Sequence, residues 1–390
     1  MKRLLIVSIL LFAVILSAKT LTVIGPWAGP EMEKFMPVLQ EFEKQTGIKI
    51  EYKIYRAEDL ANLLPAQFAA KKAPGDVIFM WASFIREYGQ RGHILPLNGV
   101  IDESKYLPGA LDAVKVGNQL YGAAYTGKVK PGFWYRKSFF EKYNLTPPRT
   151  WDEFVELLEK IKRIPNIKAP IASGDGVGWP LSDVTEHFLI TFGGPELQLD
   201  LIEGKVRWDS NLVMKGMSRL VTLLKNKYFG EPTEWTLVLK QWWNGDYALY
   251  FMGSWITGMV DDPNDLGVFA LPGAAGVVFG ADYAFVPKYT QYPEEAKKLI
   301  AWLCGPEGQA MQVKQGGHIA TAVGIDLSVY PPVDREVAKI VQGVTVLPDL
   351  DDSIGGEFQP AFWDQLKLLW VAPDRLSEVI KALQEKAPKK

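Results

Sequence analysis

The stretch that decides the fold lies near the beginning of the chain, where residues 21 to 81 read LTVIGPWAGPEMEKFMPVLQEFEKQTGIKIEYKIYRAEDLANLLPAQFAAKKAPGDVIFMW. Short apolar or alternating runs predict strands, and apolar residues at helical spacing predict helices, the first of which ends at Gly47. The predicted order is strand, helix, strand, helix, strand, over Leu21 to Ile24, Met32 to Phe42, Ile48 to Ile54, about Glu58 to Lys71, and Asp76 to Met80.

This alternation predicts an α/β fold with a mainly parallel sheet that is covered by helices on both faces. Ligands of such sheets bind beyond the carboxyl ends of the strands. Trp27 follows the first predicted strand and Trp81 follows the third, so both are candidates for a binding site.

The length of the chain predicts two lobes. A chain of 390 residues exceeds one ordinary core, and two lobes of roughly 150 to 200 residues are expected. The second lobe begins near Val129, because the strand-like stretch from Tyr121 to Tyr135 is broken by glycines and a proline. A capping box from Thr150 to Glu153 and a buried strand from Tyr247 to Met252 continue the α/β pattern. Since no low-complexity linker separates the lobes, we expect the chain to cross between them more than once.

The first eighteen residues, Met1 to Ala18, have the three parts of a secretion signal: basic residues at Lys2 and Arg3, an apolar run, and small residues before the cut. The alternative is a retained membrane anchor, which needs roughly 20 apolar residues and is longer than this run. No cysteine lies beside the expected cut. We therefore expect a mature protein that is exported to the periplasm or the cell exterior and is not a lipoprotein.

Charge and cysteine content exclude several classes of function. The formal net charge is −2, and loss of Lys2 and Arg3 makes it about −4 without a long block of either sign, so nucleic acid is not an expected partner. Cys304 is the only cysteine, and the three histidines lie far apart in the sequence. Neither a disulfide nor a metal centre is therefore expected.

Signatures of catalysis and of nucleotide binding are also missing from the sequence. There is no Gly-x-Ser-x-Gly turn, and the run from Gly174 to Gly178 lacks the lysine and the glycine spacing of a phosphate loop. No cofactor and no enzymatic activity are expected. A secreted glycosidase or lyase is an alternative, because it needs only two well-placed carboxylates from a set such as Glu31, Asp175 and Asp282. A peptide or metal binder is a third alternative.

Thirteen tryptophans are the most informative feature of the composition. Sugars present weakly apolar C–H faces and hydroxyl edges, so their sites need flat aromatic rings with carboxylates and amides at the rim. Four tryptophans in turns are candidate platforms, with core packing as the alternative: Trp27, Trp81, Trp255 and Trp363. Trp179 and Trp235 are intermediate, and Asp175 is either a ligand acceptor or part of a surface turn. Five others follow helix or strand patterns and are expected in cores: Trp151, Trp208, Trp242, Trp302 and Trp370.

Several short motifs follow one another along the chain in a fixed order. They are Phe42-Glu43-x-x-Thr46-Gly47-Ile48, Asp76-Val77-Ile78-Phe79-Met80-Trp81, Phe133-Trp134-Tyr135-x-Lys137, Thr150-Trp151-Asp152-Glu153-Phe154, Met252-Gly253-Ser254-Trp255, Gly305-Pro306-Glu307-Gly308-Gln309 and Ala361-Phe362-Trp363. Each motif is weak alone, but the ordered set covers nearly the whole chain behind the signal. It resembles the family 1 extracellular solute-binding proteins, which are the capture components of ATP-binding cassette (ABC) sugar importers.

The resemblance implies two α/β lobes of the periplasmic binding-protein type, joined by hinge crossings. It divides the chain into a first lobe of residues 19–128 and 284–315 and a second of residues 129–279 and 316–390. The implied crossings lie near residues 125–129, 277–284 and 316–320.

The resemblance also implies a function and a set of contact residues. The protein would capture a mono- or oligosaccharide, or a polyol such as an inositol, between closing lobes and present it to a membrane permease; we expect a monomer. Three tryptophans match rings that line the family's sugar site: Trp81, Trp255 and Trp363. Four further candidates lie in regions that usually supply contacts: Trp27, Glu31, Thr126 and Lys128. Two more candidates, Asp282 and Tyr283, fall in the second hinge strand.

Overall fold

A computed structural model describes residues 19–107, 109–176 and 178–389. The expected secretion signal, Met1 to Ala18, lies outside the described residues. The strands are β1 Thr20–Gly25, β2 Lys49–Ile54, β3 Val77–Met80, β4 Lys115–Val116, β5 Gln119–Leu120, β6 Ala123–Lys130, β7 Gly132–Arg136, β8 Ala169–Ala172, β9 Gly174–Asp175, β10 Thr233–Glu234, β11 Tyr247–Met252, β12 Leu266–Phe269, β13 Gly276–Phe285, β14 Ile319–Ala320 and β15 Thr345–Leu347.

Helices alternate with these strands along most of the chain. They are α1 Pro30–Thr46, α2 Ala57–Ala69, α3 Ala82–Gln90, α4 Lys137–Lys142, α5 Trp151–Lys162, α6 Trp179–Gly193, α7 Pro195–Ile202, α8 Asn211–Lys225, α9 Trp235–Trp243, α10 Pro293–Leu303, α11 Pro306–Lys314, α12 Pro332–Gly343, α13 Leu350–Ile354, α14 Phe358–Val371 and α15 Leu376–Lys386. None of the described helices is both long enough and apolar enough to cross a membrane.

The local signals identified in the sequence set several of these boundaries. Gly47 ends α1 in the left-handed conformation, with a φ of 72°, and its N–H bonds the carbonyl of Glu43. Thr150 caps α5 by accepting a hydrogen bond from the backbone N–H of Glu153. The predicted helix boundaries near these residues are confirmed because each boundary depends on contacts within one turn of the chain.

The larger sheet follows the order β14-β6-β13-β3-β1-β2, with β15 paired to β13. Strand β1 lies parallel to β2 and β3, as the opening stretch predicts. Strand β13 runs antiparallel to both β3 and β6. A second sheet follows the order β12-β7-β11-β8, in which only β11 and β8 are parallel.

The α/β class is confirmed, but the prediction of mainly parallel sheets needs correction. The parallel pattern holds where a helix connects neighbouring strands, as between β1, β2 and β3. It fails where a strand enters a sheet from a distant part of the chain, because β13 runs opposite to β3. Each sheet is therefore mixed.

The buried apolar residues form two large clusters, one smaller cluster and a group of three, Ile190, Val278 and Leu347, between strands and helices. The first contains residues between Leu21 and Tyr125 together with Ala284 to Cys304. The second contains residues between Phe133 and Leu271 together with Leu350 to Ala387. The smaller cluster joins Val129 and Trp255 to residues from Val313 to Ala338.

The three segments that were expected to cross between lobes lie side by side. Lys128 of β6 is paired with Gly280 of β13, and Thr126 of β6 is paired with Ala320 of β14. These three segments therefore form adjacent strands of one sheet, order β14-β6-β13. Backbone hydrogen bonds tie them to one another along the base of the space that separates the two large cores.

Candidate functional site

A cleft of about 1370 Å³ lies between the two large cores. Its first wall comes from the β1–α1 turn and from residues 79 to 86, at the carboxyl ends of β1 and β3. Its second wall comes from residues 234 to 244, from residues 255 to 261 and from residues 348 to 353. The position agrees with the expectation that a ligand binds beyond the ends of parallel strands.

The fold brings ten of the twelve candidate binding residues into the lining of this cleft. They are Trp27, Glu31, Trp81, Lys128, Trp179, Trp235, Trp255, Asp282, Tyr283 and Trp363. Thr126 and Asp175 are not among the lining residues. Contact with a ligand remains a prediction for all twelve.

Three tryptophans form an aromatic group in the second wall. The ring centroid of Trp179 lies 5.5 Å from that of Trp235 and 5.6 Å from that of Trp255, and both pairs meet edge to face. Trp179 and Trp235 are the first residues of α6 and α9, and Trp255 lies in a short 3₁₀ helix, Ser254–Gly258. Edge-to-face packing fixes these rings relative to one another and leaves parts of their faces toward the cleft.

Trp27 borders the cleft but is mostly part of the first core. Its side chain is 2 % exposed, and its ring packs 4.5 Å from Phe35 and 4.6 Å from Phe79, centroid to centroid. The indole Nε1 is buried and has no hydrogen-bond partner among the described residues. Core packing, the alternative considered for this residue, therefore describes most of its surface.

Trp363 is held in the cleft wall by a carboxylate. It lies inside α14, and its indole Nε1 donates a hydrogen bond of 2.6 Å to Oδ2 of Asp351. Gln359, one turn earlier, donates to the same carboxylate oxygen. These bonds orient the indole plane toward the cleft.

One ammonium group lies between two carboxylates at the base of the cleft. Nζ of Lys128 is 3.7 Å from Oε1 of Glu31 and 3.7 Å from Oδ2 of Asp282. Burial works against the charge of Lys128, but Asp282 and Glu31 outweigh it and raise the pKa of this lysine. Burial raises the pKa of Asp282, and the charge of Lys128 opposes that rise. Lys128 is therefore a cation at neutral pH.

A second ammonium group, Lys130, lies two residues further along β6 in a buried acidic cluster. Its Nζ donates to Asp183 of α6 and to Asp349, which precedes α13. Carboxylate oxygens of Asp183, Glu186 and Asp349 approach within 4.8 Å of one another, and so do those of Asp349, Asp351 and Asp352. Oxygen atoms at that spacing suit a cation, and in the described residues Lys130 supplies the positive charge at this point.

The acidic cluster carries more carboxylates than its one lysine can neutralise. Burial, and then the charge of Asp349, raises the pKa of Asp351 to about 8. Burial raises the pKa of Asp183 to about 7 against the opposing charge of Lys130. Part of the cluster therefore keeps its protons near neutral pH.

Four residues that border the cleft were not predicted from the sequence: Lys130, Asp349, Asp351 and Asp352. One signal could have found three of them, because Asp349-Leu350-Asp351-Asp352 is a dense acidic run directly after a proline. The pairing of that run with Lys130 depends on residues 219 positions apart and is not visible in sequence.

Thr126 and Asp175 lie outside the cleft lining for different reasons. Thr126 is completely buried, and its Oγ1 is hydrogen-bonded to Nδ1 of His318 at 2.7 Å. Asp175 lies in β9, where it pairs with Glu234 of β10, and its Oδ1 is buried without a hydrogen-bond partner among the described residues. Of the three carboxylates considered for a glycosidase, only Glu31 and Asp282 therefore share the cleft.

Comparison with known proteins gives matches over most of the chain. Residues 28–310 match the family model described as bacterial extracellular solute-binding protein. An uncharacterized ABC transporter extracellular-binding protein of Pyrococcus horikoshii is 59 % identical, and the match covers 95 % of this chain and 89 % of that protein. The multiple sugar-binding protein of Streptococcus mutans is 24 % identical, with coverage of 68 % and 66 %. The maltose-bound MalE3 structure from T. maritima is 21 % identical, with a TM-score of 0.78 and coverage of 95 % and 99 %.

Proposed function

This chain belongs to the bacterial extracellular solute-binding proteins, and we propose that the solute it captures is a carbohydrate. As a family member it is the extracellular solute-binding component of an ABC transporter. The proposed ligand is a mono- or oligosaccharide, or a polyol such as an inositol, held between the two walls of the cleft.

The observation that carries this proposal is the concentration of indole rings in one cleft. Seven of the thirteen tryptophans line it: Trp27, Trp81, Trp179, Trp235, Trp243, Trp255 and Trp363. Charged side chains, including Lys128 and Asp282, border the same rings. Flat apolar surfaces with polar groups at their edges match the C–H faces and the hydroxyl edges of a sugar ring.

The proteins to which this chain is similar support the same class of ligand. The Streptococcus mutans relative is named for binding multiple sugars. The T. maritima protein of similar fold contains maltose.

Capture is proposed to work through closure of the two walls. A ligand that touches both walls binds the closed form more tightly than the open form, and this difference in affinity shifts the population toward closure. Strands β6 and β13 line the base of the cleft and β14 pairs with β6, so small backbone changes there are suited to move one wall against the other. The closed form would then be recognised by a membrane permease.

The remaining parts of the proposal concern processing and chemistry. Residues 1–18 would be removed on export, and the mature protein would act as a monomer without a lipid anchor. Capture requires no covalent chemistry, and we propose that the protein is not an enzyme. The glycosidase alternative gains no support from Glu31 and Asp282, because both carboxylates lie beside the same lysine ammonium.

A calorimetric titration with a panel of sugars tests the proposal. The panel is D-galactose, maltose, trehalose, raffinose, xylobiose and myo-inositol, added to secreted protein that has been unfolded and refolded to remove any bound ligand. At least one member is expected to bind. Trp81→Ala should then weaken binding by roughly 5- to 150-fold through loss of aromatic contact and burial.

The control for this substitution is Leu237→Ala. Leu237 lies on α9 close to Trp235, but it is exposed and is not part of the cleft lining. Its removal should leave the affinity unchanged. Absence of binding for the whole panel would refute carbohydrate capture, and chromatographic detection of smaller products would favour the glycosidase.

A further inference from the structure

Lys128 lines the cleft and has ion-pair partners but no hydrogen bond of normal length to any described residue. Its side chain is 19 % exposed, and its two carboxylate neighbours are each 3.7 Å from Nζ, beyond normal hydrogen-bond length. No described residue accepts a closer hydrogen bond from this ammonium. Three N–H donors are therefore available at the base of the cleft.

The carboxylate of Asp282 is incomplete in the same way. Its Oδ2, the atom that faces Lys128, is buried and has no hydrogen-bond partner among the described residues. A buried polar atom without a partner costs free energy. The side chains of Lys128 and Asp282 are 19 % and 23 % exposed, so a donor and an acceptor group lie side by side and each is partly open to the cleft.

The space above this pair is open because residue 280 is a glycine. Gly280 is paired with Lys128 across β13 and β6, and opposed residues of an antiparallel pair share one face of the sheet. A Cβ atom built at Gly280 meets no heavy atom within 4 Å. Its backbone needs no positive φ, so local conformation alone does not require glycine here.

Aromatic rings border the same space. Nζ of Lys128 lies 5.9 Å from the ring centroid of Trp27 and 5.5 Å from that of Trp255. Both rings attract the ammonium through their π faces and hold it toward the cleft. A sugar ring placed here would meet an aromatic surface and, at its edge, the ammonium with its two carboxylates.

We propose that Lys128, Asp282 and Glu31 form a subsite for two neighbouring hydroxyl groups of one sugar ring. One hydroxyl oxygen accepts from Nζ of Lys128, and a hydroxyl proton is donated to the carboxylate of Asp282 or of Glu31. This proposal rests on the proposed function, and it makes Lys128 a specificity-determining residue for carbohydrate binding.

The charges of the subsite select against ionised groups. Two carboxylates around one ammonium leave a net charge of −1, which disfavours a ligand carboxylate or phosphate at this position. A ligand ammonium is disfavoured as well, because it would lie beside that of Lys128. The subsite therefore suits the uncharged, hydroxyl-bearing edge of a sugar.

The test combines Lys128→Met with deoxy sugars. Methionine keeps the length of the side chain and removes the ammonium. The probes are the tightest-binding member of the sugar panel and each of its monodeoxy derivatives, measured by calorimetry. Because hydrogen bonds to a charged group are lost, Lys128→Met should weaken binding of the parent sugar by roughly 10- to 100-fold.

The decisive result is the coupling between protein and ligand changes. One monodeoxy sugar should bind the wild type weakly but should bind Lys128→Met as well as the parent sugar does, because the partner of the missing hydroxyl is already gone. If removal of each hydroxyl instead weakens binding to Lys128→Met by the same factor as binding to the wild type, Lys128 contacts none of those hydroxyls and the inference is wrong. Lys53→Met is the matched control, since Lys53 is an exposed lysine of β2 outside the cleft lining.

A second variant, Gly280→Ala, tests the open space without changing a charge. The added methyl meets no protein atom, so the melting temperature should stay constant. It would occupy the space beside Lys128 and should weaken sugar binding by roughly 5- to 100-fold. Unchanged affinity would place the sugar elsewhere in the cleft and overturn the subsite while leaving carbohydrate capture intact. Failure of the wild type to bind any panel sugar would instead remove the proposed function itself.

Discussion

Lys128 and Lys130 are two residues apart on β6 and project from the same face of the strand, yet carboxylates hold them in opposite ways. Lys130 donates directly to Asp183 and Asp349. Lys128 stays 3.7 Å from each of its two carboxylates. Lys130 therefore stabilises the wall of the cleft, whereas Lys128 remains available to a ligand.

The origin of the partners explains this difference. Both partners of Lys130 come from the second wall, where α6 and the segment before α13 are packed on one core. The partners of Lys128 come from α1, in the first wall, and from β13, at the base of the cleft. A lysine whose carboxylate partners belong to one rigid unit can be held by direct hydrogen bonds. A lysine between separate units stays at a longer distance from its carboxylate partners.

The largest expected effect is on stability, from Lys130→Met. Removing the ammonium leaves Asp183 and Asp349 buried without their counter-charge and should lower the free energy of unfolding by about 3 to 5 kcal/mol. Lys128→Met should lower it by no more than about 1 kcal/mol, since water in the cleft can reach Glu31 and Asp282. Urea unfolding followed by tryptophan fluorescence measures both values.

If the two substitutions lower the free energy of unfolding equally, the distinction between a lysine held by the protein and one available to a ligand is wrong. Lys53→Met again serves as the reference, because it removes one exposed positive charge from β2. Lys128→Met should weaken sugar binding more than Lys130→Met does. The affinity of Lys130→Met is measured under conditions well below its midpoint of unfolding.

The acidic cluster around Lys130 should also make stability depend on pH. Burial and the charge of Asp349 raise the pKa of Asp351 to about 8, from about 3.9 in the unfolded chain. Between these two pKa values the folded chain keeps a proton that the unfolded chain releases. The stability that this proton contributes is fully present below the unfolded pKa of Asp351 and is lost as pH rises through the folded pKa. From this group, the free energy of unfolding should fall by up to about 1.4 kcal/mol per pH unit between those values.

Asp351→Asn isolates this contribution, because asparagine is uncharged at every pH in the range. Its carbonyl oxygen can accept from Trp363 and Gln359 as the carboxylate does. The variant should show a shallower fall of stability with pH than the wild type, in urea unfolding at a series of pH values. Asp364→Asn, at an exposed position of α14, should leave the slope unchanged. A wild-type slope retained by Asp351→Asn would show that another group holds the proton.

A smaller effect is expected at Thr126, another polar residue of β6. Thr126→Val keeps the shape of the side chain and removes the hydrogen bond to Nδ1 of His318, which should cost about 1 kcal/mol of stability. Sugar affinity should not change, because Thr126 does not border the cleft. If calorimetry shows that Thr126→Val binds the sugar more weakly, Thr126 belongs to the binding residues and the part of β6 that contacts the ligand is longer.

Much of the first lobe, and one helix cap of the second, could be read from the sequence because the signals are local. The strand and helix order from Leu21 to Met80, the end of α1 at Gly47 and the cap of α5 at Thr150 all depend on residues within a few positions of each other. The direction of β13 could not be read, because it depends on where a distant segment re-enters the sheet.

The candidate site divides in the same way. Indole rings in turns after strands, such as Trp81 and Trp255, identified the cleft because residue type and turn position are both visible in the sequence. The family resemblance implied a role for Lys128 and none for Lys130, but nothing in the sequence showed which carboxylates each lysine meets, since both occupy alternate positions of one strand. The partners of Lys130 lie 53 and 219 residues away along the chain. The partners of Lys128 lie in two separate elements, α1 and β13.

The sequence by itself determined the α/β class, the family resemblance and the set of aromatic residues suited to a sugar, because periodicity, caps and ordered motifs are properties of neighbouring residues. Only the tertiary structure decided which carboxylate meets which lysine and at what distance. A difference of about an ångström between contact and separation decides whether a buried charge is satisfied by the protein or is left for a ligand, and that distance is set by packing between elements far apart in the chain.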